Sequence, residues 1–264
     1  MNVRPPMIVA NWKMNMDLGG VRAWCEAMAQ ESFEGDAQVV VCPSFVHILF
    51  AAGRLVALDF AMGAQDASAS KEGAYTGQTS AQMLKDAGCG FCLVGHSERR
   101  AYCGETDAQI HEKITLLWQA GITPIMCVGE TEQERAAGRT GEVLARQIRD
   151  GLPASAASHP FVIAYEPRWS IGTGVLPTLT DMEGAHAFIK ECVSGHVPCA
   201  DAPVLYGGSV TAQNAAEILA VPGVDGLLVG GASLNAQTFS QIVKSAQPPH
   251  MFSSSAPAHK TCAL

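Results

Sequence analysis

The chain has 264 residues, with 17 Lys and Arg against 25 Asp and Glu, giving a formal net charge of −8. That length suits one barrel or one large α/β unit, and it buries a sizeable core without disulfides or metals. An acidic chain with no basic block excludes nucleic acid as the main partner, yet local backbone donors can still hold a small anion. In chain order, Met7–Trp12 reads as a strand, Gly20–Gln30 as a helix and Gln38–Cys42 as a strand. Phe45–Ala52 reads as a helix, and Ala57–Gln65 as a strand opening a long loop, Asp66–Thr79. Ser80–Ala87 is a helix, Phe91–Val94 a strand, Thr106–Gln119 a helix and Thr123–Val128 a strand. Helix pieces at Thr131–Ala137 and Gly141–Asp150 flank Gly138, ahead of strand Phe161–Tyr165 and helix Leu179–Val193. Strand Pro203–Tyr206, helix Ala212–Leu219, strand Gly226–Val229 and helix Gln237–Lys244 complete the pattern.

Runs such as Phe161-Val162-Ile163-Ala164 are continuously apolar, as strands are when both sheet faces are covered. Eight strand–helix units without a composition break imply a single-domain α/β fold, the (β/α)8 TIM barrel, over residues 1–246. Residues 247–264 lack periodicity and read as a flexible C-terminal tail outside it. The first strand ends in Asn11-Trp12-Lys13 without glycine, which argues against a dinucleotide site. Met7–Ala10 is too short for a secretory signal, and no run approaches the ~20 apolar residues of a membrane span. No membrane partner is therefore expected. The nine cysteines are irregularly spaced, with one CxxC, Cys89 to Cys92, and no zinc-spaced partners. Buried free thiols and a reducing cytoplasm are the expectation.

In such a barrel, chemistry gathers where strands end. Asn11 and Lys13 follow strand one, His96 strand four, Glu166 strand six, Gly207-Gly208-Ser209 strand seven and Gly230-Gly231 strand eight. Singly, each has an ordinary reading: a solvated lysine, a structural histidine, a turn at Glu166-Pro167. Together at one rim they make a set. The glycine pairs let backbone N–H groups converge on an anion, and a short helix near Ala232 would add its dipole. A phosphate-bearing substrate follows. A carboxylate base at Glu166, a polarising His96 and a fixed charge at Lys13 suit enolisation of a carbonyl compound without metal. On residue type alone, a Schiff-base role for Lys13 stays open. Pro167-Arg168-Trp169, the segment Ser170–Gly174 and Val175-Leu176-Pro177 read as a lid that excludes water.

Several strings, taken together, resemble the triosephosphate isomerase family. They are Ala10-Asn11-Trp12-Lys13-Met14-Asn15, Gly73-Ala74-Tyr75-Thr76-Gly77, Val94-Gly95-His96-Ser97-Glu98-Arg99-Arg100 and Cys127-Val128-Gly129-Glu130. Ala164-Tyr165-Glu166-Pro167, Ile171-Gly172-Thr173-Gly174, Tyr206-Gly207-Gly208-Ser209-Val210 and Val229-Gly230-Gly231-Ala232-Ser233-Leu234 continue the series. The resemblance implies interconversion of dihydroxyacetone phosphate and D-glyceraldehyde 3-phosphate with no cofactor or metal. It implies Glu166 as the proton-shuttling base and His96 as a neutral electrophile, held neutral by a short helix starting at Ser97. Lys13 would attract phosphate, Asn11 would donate to a substrate oxygen, and Glu98 would pair with Lys13. Amides of Gly172, Ser209, Gly230 and Gly231 would hold phosphate. Pro167, Trp169 and Ile171 belong to the lid, which Tyr206 and Ser209 would meet near Ser170 and Gly172. The family is usually a homodimer, with the 66–79 loop inserted into the partner and Thr76 at its tip. Arg168, Ser170, Val175-Leu176-Pro177 and Gln78 depart from the common pattern. Arg168 and Ser170 motivate one alternative, an isomerase of a longer (tetrulose) sugar phosphate. A second, a catalytically silent phosphate-binding barrel, is opposed by the presence of Asn11, Lys13, His96 and Glu166 together.

Overall fold

The computed structural model describes residues 4–171, 176–198 and 201–246. Among them, eight parallel strands follow chain order around a closed barrel. They are β1 (Met7–Asn11), β2 (Gln38–Cys42), β3 (Ala61–Ala64), β4 (Phe91–Val94), β5 (Thr123–Val128), β6 (Val162–Tyr165), β7 (Val204–Tyr206) and β8 (Gly226–Val229). The helices are α1 (Leu18–Met28), α2 (Ile48–Leu55), α3 (Ala81–Asp86), α4 (Ser97–Tyr102) and α5 (Asp107–Gln119). They continue with α6 (Glu132–Ala136), α7 (Thr140–Gly151), α8 (Leu179–His196), α9 (Ala215–Leu219) and α10 (Ala236–Ser245). The (β/α)8 barrel expected from the sequence is the observed fold.

Local chemistry sets the helix starts. Asp17, Ser80, Thr106, Thr131, Thr178 and Asn235 each accept a first-turn backbone N–H through the side chain. Such a cap contributes about 1 kcal/mol. Two sequence expectations shift for local reasons. The expected strand Ala57–Gln65 shortens to β3, because Val56–Leu58 forms a 3-10 turn that Asp59 ends at φ 57°. Apolar run length alone does not separate those outcomes. The expected helix Ala212–Leu219 begins only at Ala215, because Thr211 N–H bonds Asn214 Oδ1 and Asn214 N–H bonds Thr211 Oγ1. The short helix that the resemblance implied from Ser97 is α4, formed from a polar string without apolar periodicity.

Strand parity divides the core into two layers. Val9, Cys42, Leu93, Ile125, Cys127, Val162, Ala164, Leu205 and Leu228 fill the barrel interior. Ile8, Ala10, Val39, Val41, Met126, Ile163 and Val229 instead pack under the helices. Gly63 is small where an added Cβ would lie 2.5 Å from Cys42 Sγ. At the closing seam Met7 pairs with Gly226, whose added Cβ would lie 2.0 Å from Met7 O. Trp12 meets Trp24 of α1 edge-on at 4.9 Å, and Trp24 Nε1 donates to Ser233 O at 2.9 Å. That edge contact adds about 0.5–1.5 kcal/mol beyond area burial and ties the ends of β1 and β8 together.

Cys25, Cys42, Cys89, Cys92 and Cys127 are buried free thiols, Cys192 is half-buried and Cys103 exposed. Burial pushes the Cys89 thiol up to about 11 and raises the Cys92 thiol well above its ordinary value, which makes the CxxC poorly nucleophilic. Cys199, Cys262 and the tail from 247 onward lie outside the described residues. No helix among the described residues is long and apolar enough to cross a membrane. Among them, no group of three or more His, Cys, Asp or Glu side chains could hold a metal ion.

Candidate active site

Asn11 continues the inward parity of Met7 and Val9, and Glu166 that of Val162 and Ala164. Both side chains therefore enter the barrel mouth, where a cavity of about 360 Å³ is lined by Asn11, Lys13, His96, Glu166, Ser209 and Gly230, among others. Ile171 and Gly231 also line it. The expected phosphate residue Gly172, with Thr173, Gly174 and Val175 of the expected lid, lies outside the described residues. Thr76 is exposed on the 66–79 loop and does not line the cavity.

Lys13 adopts φ 53°, a left-handed conformation that costs a side-chain-bearing residue roughly 1–2 kcal/mol. Its surroundings offset that cost. Lys13 N–H bonds Asn11 Oδ1 at 3.1 Å, and its carbonyl accepts from Ser44 Oγ at 3.0 Å and Gln65 Nε2 at 2.8 Å. Asn15 Nδ2 donates to Trp12 O, and His47 Nε2 bonds the carbonyl of Met16, a second left-handed residue at φ 67°. The Lys13 ammonium then reaches Glu98 Oε1 at 2.5 Å.

His96 caps α4. Its Nδ1 accepts Glu98 N–H at 3.2 Å, which assigns the ring proton of the neutral form to Nε2. That Nε2 lies 2.9 Å from Glu166 Oε1, while Ser97 N–H donates to Glu166 Oε2 at 2.8 Å. Both side chains are buried, His96 5% and Glu166 3% exposed. Burial pushes the Glu166 carboxyl up, but His96, Ser97 N–H and Lys13 together outweigh it and hold it below the ordinary range. Burial pulls the His96 imidazole down, while Glu166 and Glu98 pull it up more strongly. The pair is therefore a carboxylate and an imidazole drawn toward protonation for as long as they touch. Apart from Glu166, burial and the Glu98 amide at Nδ1 favour the neutral ring, while the Glu98 carboxylate, 3.8 Å from Nδ1, opposes them.

Beyond Glu166, Trp169 Nε1 donates to Glu130 Oε1 at 2.8 Å, and Tyr165 OH donates to the same carboxylate. The Arg135 guanidinium lies 4.1 Å over the Trp169 ring and bonds Asp181 at 3.2 Å. Ser170 Oγ is 3.5 Å from Tyr206 OH, and its carbonyl accepts from Ser209 Oγ at 2.7 Å. Tyr206 and Ser209 thus both meet the segment after Glu166 at Ser170. A Cβ at Gly208 would lie 2.1 Å from Tyr206 OH, so that glycine makes room for the tyrosine. Ser233 N–H and Oγ both bond Gly230 O, closing the tight turn after β8. The 66–79 loop is anchored at its base by a charged quartet, in which Asp66, Glu105 and Lys113 are buried and Arg99 is partly exposed. In it Arg99 Nε forms ion pairs with Asp66 at 2.9 Å and Glu105 at 3.2 Å, and Lys113 bonds both carboxylates.

The structure brings Asn11, Lys13, His96, Glu166, Ile171, Ser209, Gly230 and Gly231 to one cavity. Ser97, Glu98, Pro167, Trp169 and Tyr206 stand directly behind them. Sequence reasoning missed Ser44, Gln65 and Glu130. Their bonds go to the Lys13 carbonyl and to the side chains of Tyr165 and Trp169, and nothing in local sequence signals either.

A family model described as triosephosphate isomerase matches residues 6–246. Triosephosphate isomerase of Rhodopseudomonas palustris (strain BisA53) is 47% identical over 243 residues, covering 89% of this chain and 95% of that protein. The triosephosphate isomerase of Bradyrhizobium sp. (strain ORS 278) is 46% identical over 244 residues, covering 90% and 97%. That of Ralstonia nicotianae (strain ATCC BAA-1114 / GMI1000) is 43% identical over 251 residues, covering 92% and 99%.

Proposed function

The chain belongs to the triosephosphate isomerase family, and from that premise we propose that Glu166, His96, Lys13 and Asn11 carry out its reaction. The protein is a triosephosphate isomerase, interconverting dihydroxyacetone phosphate and D-glyceraldehyde 3-phosphate through an enediolate. Glu166 leaves His96 to take a proton from one substrate carbon and returns it to the neighbouring carbon. His96, neutral once Glu166 has left, donates from Nε2 to the oxygen on which charge grows. Lys13 offsets the charge of enediolate and phosphate, and Asn11 donates to a substrate oxygen. Amides of Gly172, Ser209, Gly230 and Gly231 hold the phosphate. Closure of the segment running from Pro167 through Trp169 and Ile171 dries the site and strengthens the base.

The observation that carries these roles is the 2.9 Å pairing of Glu166 Oε1 with His96 Nε2 in the cavity that Lys13 also lines. Steady-state turnover of D-glyceraldehyde 3-phosphate, beside a Glu166→Gln control, tests them. Fast turnover lost in the control is the expected result, and an active control refutes the base assignment.

The active form is a homodimer in which the 66–79 loop, with Thr76 exposed at its tip, braces the partner's loop after β1. The loop's charged anchor at Asp66 and its length support this. The barrel domain spans 1–246, in keeping with the match to residue 246. Free thiols among the described residues favour the cytoplasm.

A further inference from the structure

Gln147 lies on α7, 4% exposed, and does not line the cavity. Burying a carboxamide is unfavourable unless its polar atoms find partners. Both do, and both partners belong to one residue. Gly129 N–H donates to Gln147 Oε1 at 2.8 Å, and Gln147 Nε2 donates to Gly129 O at 3.2 Å. Gly129 comes directly after β5, where the pairing with β6 ends at Val128 and Tyr165. Its two backbone groups have left the ladder, and the glutamine takes them as a neighbouring strand would.

Gly129 is also the surface against which the base rests. A Cβ built on it would lie 1.8 Å from Glu166 O and 2.6 Å from Glu166 C, so the two backbones are in contact. Hydrogen bonds flank that contact: Glu166 N–H to Val128 O at 2.7 Å, and Arg168 N–H to Glu130 O at 3.1 Å. Residues 128–130 thus form a bracket under residues 166–168, and Gln147 grips its middle. The Glu166 carboxylate stands at 2.9 Å from His96 and 2.8 Å from Ser97 N–H, so a small shift of the bracket breaks its geometry.

We propose that Gln147 is a positioning residue for the reaction, fixing the backbone seat of Glu166 through its paired bonds to Gly129. The inference rests on Glu166 being the base. It separates Gln147 from a residue that merely fastens α7 to the barrel, because a displaced base slows the chemical step while leaving the phosphate grip intact.

The test uses the full chain with two substitutions. Gln147→Leu keeps similar volume and removes both bonds. Gln147→Glu makes the pairing depend on protonation. A protonated carboxyl accepts from Gly129 N–H and donates to Gly129 O, whereas an ionised one has no proton to donate. Burial raises such a carboxyl into the measurable range. For Gln147→Leu, kcat falls roughly 10- to 100-fold, as a misplacement near 1 Å implies, with KM within about twofold. For Gln147→Glu, the ratio of its kcat to the parent's rises toward unity as pH falls, with KM again flat. Parental kcat in both folded variants overturns the proposal, as does a loss seen only in KM or only in the thermal midpoint. Failure of both variants to fold overturns it too, since the pairing is then a requirement of the fold. Glu166→Gln is measured alongside. If it stays active, the base assignment has failed. If it is dead while both Gln147 variants are parental, only the positioning role has failed.

Discussion

On the β1, β4 and β6 side of the cavity the working groups are side chains, and each is held by another. Lys13 is paired with Glu98, Glu166 with His96 and Ser97, and His96 with the Glu98 amide. On the β7 and β8 side the chain is nearly bare, with Gly207, Gly208, Gly230 and Gly231 flanking Ser209 and the turn at Ser233. The first side is built from what is present, the second from what is missing.

Removing charge from the first side has the largest effect. Lys13→Met lowers turnover of D-glyceraldehyde 3-phosphate by ~10³-fold, the scale of losing a preorganised charged donor. Substantial activity in that variant breaks the comparison outright. Shortening the base by one methylene, Glu166→Asp, lowers kcat by ~100-fold through misplacement, and unchanged kcat refutes the base role.

The pairing of that side also has a pH signature. Glu166 is held below the ordinary carboxylate range in the folded protein, with burial opposing and His96, Ser97 and Lys13 prevailing. The folded state therefore binds this proton less tightly than the unfolded chain. The resulting stability is present above the unfolded value and is lost as pH falls through the folded one. A carbon-detected titration of Glu166 in the ligand-free protein reads this directly. A midpoint above the ordinary glutamate value means that the pair with His96 does not form in solution.

Additions to the glycine side have graded effects. Gly208→Ala sets a methyl 2.1 Å from Tyr206 OH and 3.1 Å from Ser170 Oγ, so both must move. Overpacking of this kind costs about 1–3 kcal/mol, and activity falls roughly tenfold as the Tyr206–Ser170 contact is lost. Differential scanning beside steady-state kinetics checks both. Gly231→Ala meets nothing within 4 Å. Its thermal midpoint stays put and its KM rises about twofold, the size of a surface substitution. A collapse in the folded fraction of Gly231→Ala shows that the bareness there serves the fold as well as the ligand.

The same division explains what could be read before any fold was seen. Strand runs such as Phe161–Ala164 announce burial on both faces. The order Asn11, Lys13, His96, Glu166 and the glycine pairs places a recognisable set at successive strand ends. What supports that set is silent in sequence. No lysine signals φ 53°, so the donors Ser44 and Gln65 on its carbonyl have no local cue. Gln147 is one amide on an amphipathic helix until Gly129 appears opposite it. The stacking of Arg135 on Trp169 joins α6 to the segment after Glu166 across 34 residues of chain (169 − 135). The limits of β3 and α9 were likewise set by turns, at Asp59 and at Thr211 with Asn214, rather than by apolar pattern.

The seam between β1 and β8 bears on how the molecule is made. Met7 pairs with Gly226, and the two backbones meet so closely that only glycine fits. A chain emerging from the ribosome has its first strand early and the partner of that strand nearly last. Until residues 226–229 emerge, β1 carries an open edge of apolar residues, the kind of edge that recruits foreign strands. The sheet is sealed only when its two ends meet. A change such as Gly226→Ala would therefore show itself first as poor recovery of soluble protein during synthesis.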